Sequence, residues 1–473
     1  VNEERLLDHG RRGLRRDALA IAAAGFDAVD PAAALRRLVR LDGDELTVAG
    51  APHIGLRPPE ETPAGDQTID LFERRVFLVG AGKASIGMAA VLDDLLGPRF
   101  VDAAVVVKEG QSALLPRPLD YVEVLEAAHP VPDERSLAGG LRLLDIAKQV
   151  RPGDLVIGLV TGGSSALVVA PAEGISLDDL VATNRLLLAS GAGIEAMNDV
   201  RKHLSRIKGG LLAAACGADR GACQIVNFTV GDVVGDPLDY VTDLTVPDRS
   251  TWAMAQAACD RYGLWDELPP AVAERLRRAD PLEETPKELP GVFTWVVADA
   301  ARMCEAAVEE ARRLGYSPRL LGLDWEGEAR EAGRRLAGLV AEAPPGTCLV
   351  AGGENTVTLA AACEGLPPGG GPSQEAALAA ALELGATGGE GAGLRLGGPA
   401  VVLCLDSDGT DGPTAAAGGL VDDLTRQAPA SIDLSAALDR HESAAALEEM
   451  GDAVVSGPTG TNVNDLKLGL RPR

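Results

Sequence analysis

R-V-F-L-V-G-A-G-K-A-S, residues 75–85, reads as a buried β-strand that turns sharply into a helix. The apolar run to Val79 is the strand, Gly80 and Gly82 let the backbone turn, and a helix is expected over 85–97. The same unit recurs downstream. A-A-V-V-V (103–107), D-L-V-I-G-L-V (154–160) and Q-I-V-N-F-T-V (224–230) are further apolar, β-branched runs. Helical patterns at about 135–149, 177–190 and 196–216 separate them. Strands apolar on both faces and alternating with helices predict an α/β fold built on a Rossmann-like, doubly wound parallel sheet.

Two flanking regions complete the outline. Residues 11–24 and 32–42 read as amphipathic helices, with Asp30 and Pro31 as N-cap and first helical position. Residues 266–291 carry five prolines among many charges and are read as a hinge or domain boundary. Beyond them come strands at 293–299, 347–353, 400–406 and near 453–456, with helices at 300–314, 326–342 and 374–384. The expected division is therefore 1–285 for the Rossmann-like domain and 286–473 for a smaller α/β domain.

The net charge of −26 disfavours nucleic acid and anionic membrane as partners. A site for an anionic substrate must therefore gather positive charge locally. Only seven lysines are present, and three of them, Lys83, Lys202 and Lys208, fall inside motif-like segments. Seven cysteines without C-x-x-C spacing read as reduced, buried thiols. The charged N-terminal stretch and the lack of an apolar run of ~18 residues lead to the expectation of a cytoplasmic protein.

Several strand ends carry candidate chemistry, and in open α/β sheets ligands bind outside the carboxyl ends of strands. V-G-A-G-K-A-S (79–85) offers Gly80, Gly82, Lys83 and Ser85 to an anion at a helix N-terminus. It is neither a Walker A loop nor a dinucleotide fingerprint. T-G-G-S-S-A (161–166) can present amides and the hydroxyls of Ser164 and Ser165 to a carboxylate or phosphate. A plain strand-to-helix turn explains either segment equally well. M-N-D-V-R-K-H-L-S-R-I-K-G-G (197–210), read as helical, places Arg201, Lys202 and Lys208 near one face; a solvated face is the bland reading. G-D-V-V-G-D-P-L-D (231–239) supplies Asp232 and Asp236, with Asp239 read as a turn residue. D-S-D-G-T-D-G-P-T (406–414) supplies Asp406, Asp408 and Asp411, hard oxygen ligands of the kind magnesium takes. Glu354, in G-E-N-T (353–356), and Asn464, in S-G-P-T-G-T-N-V-N-D (456–465), complete the set.

Taken in order, VGAGKAS, EAAHPVPDERS, TGGSSAL, NDVRKHLSRIKGG, GDVVGDPLD with VPDRST, GGENTVT, SDGTDGPT and SGPTGTNVNDL resemble the two-domain glycerate 2-kinase family, a DUF4147 domain followed by a MOFRL domain. The resemblance runs from about residue 15 to 466. It implies two α/β domains with the active site in the cleft between them. It also implies transfer of the γ-phosphoryl of ATP to D-glycerate, giving 2-phosphoglycerate, with Mg²⁺. By motif, Lys83 resembles a phosphate-contacting lysine, while Arg201, Lys202 and Lys208 fall on a basic helix. Asp232 and Asp408 fall on acidic strand ends. The expected division of labour follows. Lys83 and the amides of 80–85 hold phosphate; Ser164 and Ser165 with Arg201 or Lys202 grip the glycerate carboxylate. Asp232 orients or deprotonates the hydroxyl, and Asp408 and Asp411 bind Mg²⁺. Glycerate and nucleotide are the expected partners, with a homodimer allowed.

The chain departs from the family pattern where G-G-R-N-Q-E is expected: it reads G-G-P-S-Q-E, with Pro372 and Ser373 in place of Arg and Asn. Ala415 replaces a second Asp, and Arg440–Ser443 replace N-N-D-S. A hydroxypyruvate reductase, a kinase for a related hydroxy acid and a non-catalytic binding protein are the competing readings. A reductase would need the dinucleotide fingerprint and an acidic ribose partner, which are missing.

Overall fold

The computed structural model describes residues 1–473 apart from 63, 232–237, 239–243, 360–368, 386–397 and 428–431. Asp232, Asp236 and Asp239 therefore lie outside the described residues. The chain forms two compact units, each described by itself below. One runs from Pro31 to Val297; the other joins Val1–Asp30 to Ala298–Arg473. The expected division at 285/286 is thus displaced to 297/298, and the first thirty residues leave the N-terminal unit.

In chain order, the strands of the first unit are β1 (Val39–Asp42), β2 (Glu45–Val48), β3 (His53–Ile54), β4 (Gln67–Asp70), β5 (Val76–Ala81), β6 (Phe100–Lys108), β7 (Glu123–Ala127), β8 (Leu155–Val160), β9 (Gln224–Val230) and β10 (Val292–Ala298). β1, β2 and β4 make a small antiparallel sheet. The other seven line up as β3-β10-β9-β8-β5-β6-β7. β5 pairs in parallel with both β6 and β8, and the parallel ladder extends to β7 on one side and β9 on the other. All six residues of β5 and all six of β8 are buried, as strands covered on both faces require. Burial of Phe77 and Phe228 alone is worth roughly 1.5–3 kcal/mol each.

The winding positions the site. From β5 the chain steps outward to β6 and β7, then returns to β8 on the opposite flank. The switch point lies between β5 and β8, and ligands of doubly wound sheets bind at the carboxyl ends of strands beside such a point.

Two helical expectations are corrected. The helix expected over 196–216 is broken into Ile194–His203 and Leu211–Ala215. Ser205 Oγ accepts the amides of Ile207 and Lys208, and Gly209 and Gly210 take positive φ, so the helix cannot continue. Lys208 consequently sits in a turn. The segment 266–291, expected as a hinge or domain boundary, holds helix Pro270–Arg278, which opens on its proline. Leu268, Val272 and Leu276 are buried against Trp252, Leu187 and Val200.

The second unit carries β11 (Ser317–Gly322), β12 (Thr347–Gly353), β13 (Val401–Asp406), β14 (Gly418–Asp422), β15 (Ala453–Val454) and β16 (Asp465–Leu470) in the order β11-β12-β16-β13-β14-β15. β16, absent from the sequence reading, runs antiparallel to both β12 and β13 at the middle of the sheet. Its Lys467 is buried and satisfied by Asp465 and the carbonyl of Gly353. Helix Arg12–Ala28 belongs here because of Arg15, which is fully buried. Its guanidinium donates to Asp422 at 2.6 Å and Asp452 at 2.7 Å.

Arg15→Ala would strand two buried carboxylates. Urea unfolding should show a loss of about 3–5 kcal/mol. His9, 2.8 Å from Asp452, gives a pH-dependent companion test. Hydrogen bonding to Asp452 raises its pKa above the ordinary value, against the effect of burial. A raised native pKa gives stability that is fully present below about pH 6.5 and lost as pH rises through the native value. The stability difference between wild type and His9→Gln should therefore be larger at about pH 5.5 than at about pH 8.5.

Candidate active site

The turn after β5 is a clasp rather than an anion cradle. The amide of Gly82 donates to Val106, that of Lys83 to the Gly162 carbonyl, that of Ala84 to Thr161 Oγ1 and that of Ser85 to the Gly82 carbonyl. Ser85 Oγ is also spent on Gly82, at 2.7 Å, and Ala84 rather than Ser85 occupies the cap position. Gly80 makes room for Val105 and Leu159, and a Cβ on Gly82 would collide with Thr161. Gly80, Gly82 and Ser85 thus hold strands together. The amides of 82–85 therefore do not form the expected phosphate cradle.

The loop after β8 is different. Among the described residues, the amides of Gly162, Gly163 and Ser165 donate to no protein acceptor. Gly163 is left-handed at φ 86°, and a Cβ there would stand 3.3 Å from the His129 ring and 3.4 Å from Lys83 Cγ. Lys83, His129 and this loop therefore meet at the switch point. Beside them lies a cavity of about 130 Å³, lined on its polar side by Ser165, Asn184, Arg185, Arg201, Ser205 and Lys208. That is well below the ~300 Å³ at which pockets for drug-sized ligands begin, so its occupant is small. Lys208 Nζ donates to Ser165 Oγ at 2.9 Å, and Arg201 Nε to Asn184 Oδ1 at 2.8 Å. Ser164, buried, opens the short helix Ser164–Leu167.

Of the basic trio, Lys202 does not line the cavity. It is buried and pairs with Asp248 at 2.9 Å. Burial alone would raise Asp248, but Lys202 and Ser250 override it and hold the carboxyl below its ordinary range. Lys202 is thus matched by a buried carboxylate. His203 packs on Trp252 and contacts Glu284.

His129 is what the sequence reading passed over, although it sits in the quoted EAAHPVPDERS. The second half of that segment is structural: Asp133 and Ser136 form a capping box for helix Glu134–Ala147. His129 itself follows β7. Its ring nitrogens have no hydrogen-bond partner among the described residues. Burial, then Lys83 and Lys108, push its pKa down to about 4, so the ring is neutral near pH 7.

The second unit has its own cluster at the end of β13. Asp406 Oδ1 accepts the Asp408 amide, and Asp408 Oδ1 accepts both the amide and hydroxyl of Thr410. Burial, then Asp408 and Asp465, push Asp406 up to about 8. Asp411 is committed elsewhere: its carboxylate accepts the amides of Ser373 and Gln374, the first turn of helix Pro372–Leu384. That corrects its expected part in metal binding. Pro372 occupies the first helical position, where proline is well tolerated. Glu354 is exposed at the end of β12, whereas Asn464, buried at φ 66°, turns the chain into β16. Among the described residues no three metal-ligating side chains converge. Mg²⁺ held by one or two carboxylates and a phosphate needs no such cluster, and Asp406 with Asp408 fits that donor set. Six described cysteines are buried and unbridged.

These features define a doubly wound α/β protein with a small, cationic switch-point pocket. Comparison with known proteins narrows the class. The model described as "Domain of unknown function (DUF4147)" matches residues 17–277, and the MOFRL family model matches 347–465. The glycerate 2-kinase of Pyrococcus horikoshii is 35% identical over 470 residues, covering 97% of each chain. A relative from Agrobacterium vitis with a provisional hydroxypyruvate reductase name is 40% identical over 83% of this chain and 86% of its own. The solved glycerate kinase of Thermotoga maritima matches with a TM-score of 0.77 at 33% identity, covering 97% of this chain and 99% of that one. The chain belongs to the two-domain DUF4147–MOFRL family, the glycerate 2-kinase family.

Lys202→Met should cost about 3–5 kcal/mol in urea unfolding, because Asp248 is left buried and uncompensated. A change below about 1 kcal/mol would return Lys202 to the candidate ligands.

Proposed function

We propose that this protein is a glycerate 2-kinase that moves the γ-phosphoryl group of ATP to the 2-hydroxyl of D-glycerate. The observation that carries the reading is the pairing of cationic side chains with undonated amides at the β5/β8 switch point, in a chain of net charge −26. Lys208 with Ser165, Arg201 and the amides of Gly162, Gly163 and Ser165 would hold the glycerate carboxylate through charge-assisted hydrogen bonds. Lys83, beside the same loop, would bear on the phosphoryl oxygens. As the hydroxyl oxygen bonds to phosphorus, the bond from phosphorus to the bridging oxygen breaks and its electron pair leaves with ADP. Such a transfer relies on positioning and charge neutralisation rather than covalent catalysis. Asp406 and Asp408 would hold Mg²⁺, which when bound supplies neutralisation of phosphate charge.

The clasped amides of 82–85 also bear on the reductase alternative. A dinucleotide pyrophosphate normally rests on the first helix N-terminus of a doubly wound sheet. Here the amides of Gly82, Lys83, Ala84 and Ser85, in the turn that enters that helix, are consumed by the protein itself.

ADP release measured over three- to six-carbon hydroxy acids should be largest with D-glycerate, and carbon-resolved NMR should place the phosphate on C2. NADH oxidation with hydroxypyruvate should be at background. Lys83→Ala should lower turnover by at least about a hundredfold with an unchanged unfolding midpoint. Near-normal turnover would remove Lys83 from the mechanism.

A further inference from the structure

The geometry points to His129 as the group that takes the acceptor hydroxyl's proton during phosphoryl transfer. The inference rests on the kinase reading above. Its support is positional first. The ring follows the carboxyl end of β7 and lies against Gly163, whose missing Cβ leaves the imidazole within van der Waals reach of the loop backbone. Lys83 Cγ flanks the same glycine, so the imidazole and the candidate phosphoryl-binding lysine share one surface of the loop. Pro130, the next residue, lines the cavity together with Ser165 and Lys208. A half-buried histidine whose nitrogens bond to nothing among the described residues keeps a lone pair available, and Nε2 is one of its ring atoms nearest Gly163.

Its charge state agrees. Lys83 and Lys108 are the charged groups acting on the ring among the described residues, and with burial they keep it neutral. A neutral imidazole with so depressed a pKa is a weak base. An anion brought against Lys83 would offset part of the cationic field and strengthen it. Basicity would then rise only when the phosphoryl donor is in place, limiting proton abstraction in its absence. In the step itself, the hydroxyl proton passes to an imidazole nitrogen as the oxygen–phosphorus bond forms. The imidazolium returns that proton to solvent after ADP leaves.

Two measurements on the full chain test this. The first compares wild type, His129→Gln and His129→Ala, using the hydroxy acid that wild type phosphorylates best. The expected result is a fall in kcat of about 10²-fold or more with KM values within about threefold. Added imidazole should restore part of the His129→Ala rate. Turnover within about fivefold of wild type overturns the assignment, and a rise in KM at constant kcat recasts His129 as a binding residue and overturns it too. An inactive Asp232→Asn beside active His129 variants would hand the proton to Asp232. The second measurement needs no acceptor. The chain has five histidines, so the His129 ring resonance can be assigned and titrated by NMR. It should titrate well below the ordinary range alone and at higher pH with a non-hydrolysable ATP analogue. A midpoint that the analogue does not move overturns the coupling. Failure of the glycerate reading would appear separately, as a different best acceptor in the wild-type screen.

Discussion

Thr161 and Gly82 touch so closely that no side chain fits between them. This contact, with the Thr161 amide donating to Ala81 and the Lys83 amide donating to Gly162, fixes the turn after β5 against the turn after β8. The pocket is a consequence of that fastening. One turn gives up its amides to hold the other in place, and the turn so held keeps those of Gly162, Gly163 and Ser165 undonated among the described residues. The lysine of the first turn and the undonated amides of the second then lie side by side.

Electrostatics reinforces the same division. A protein this acidic repels small anions at long range, so attraction must be built at short range from a few side chains. Lys208 donates to Ser165 and Arg201 to Asn184, bonds that orient the two cations toward the cavity wall. Lys202, one residue from Arg201, is instead answered by a full carboxylate and serves the interior.

Much of the first sheet was legible because β5, β6, β8 and β9 are apolar on both faces, a pattern that few alternatives satisfy. Strands of mixed character were not. β7 reads E-V-L-E-A and β16 reads D-L-K-L-G-L, and a lysine in the middle of a sheet is uninformative until its carboxylate partner is visible. The glycine-rich turns were found, but spacing alone could not say which had amides to spare, since that depends on Thr161, seventy-seven residues from the amide it caps. Asp411 looked like a ligand because an acidic loop and a helix cap have the same composition. His129 carried a weaker signal still, one ring in a proline-rich segment whose capping residues drew the attention.

The burial of Arg15 ties a residue near the start of the chain to acids 407 and 437 positions later. During vectorial synthesis the helix bearing it emerges long before its partners exist. Until then its guanidinium stays in water and the helix has no apolar seat. Closing so long a loop costs conformational entropy that no local contact returns at once. Docking of that helix should therefore come late, after the unit beginning at Pro31 has had the opportunity to fold, and a nascent chain in which Asp422 and Asp452 have not yet emerged would carry it as a loose amphipathic segment.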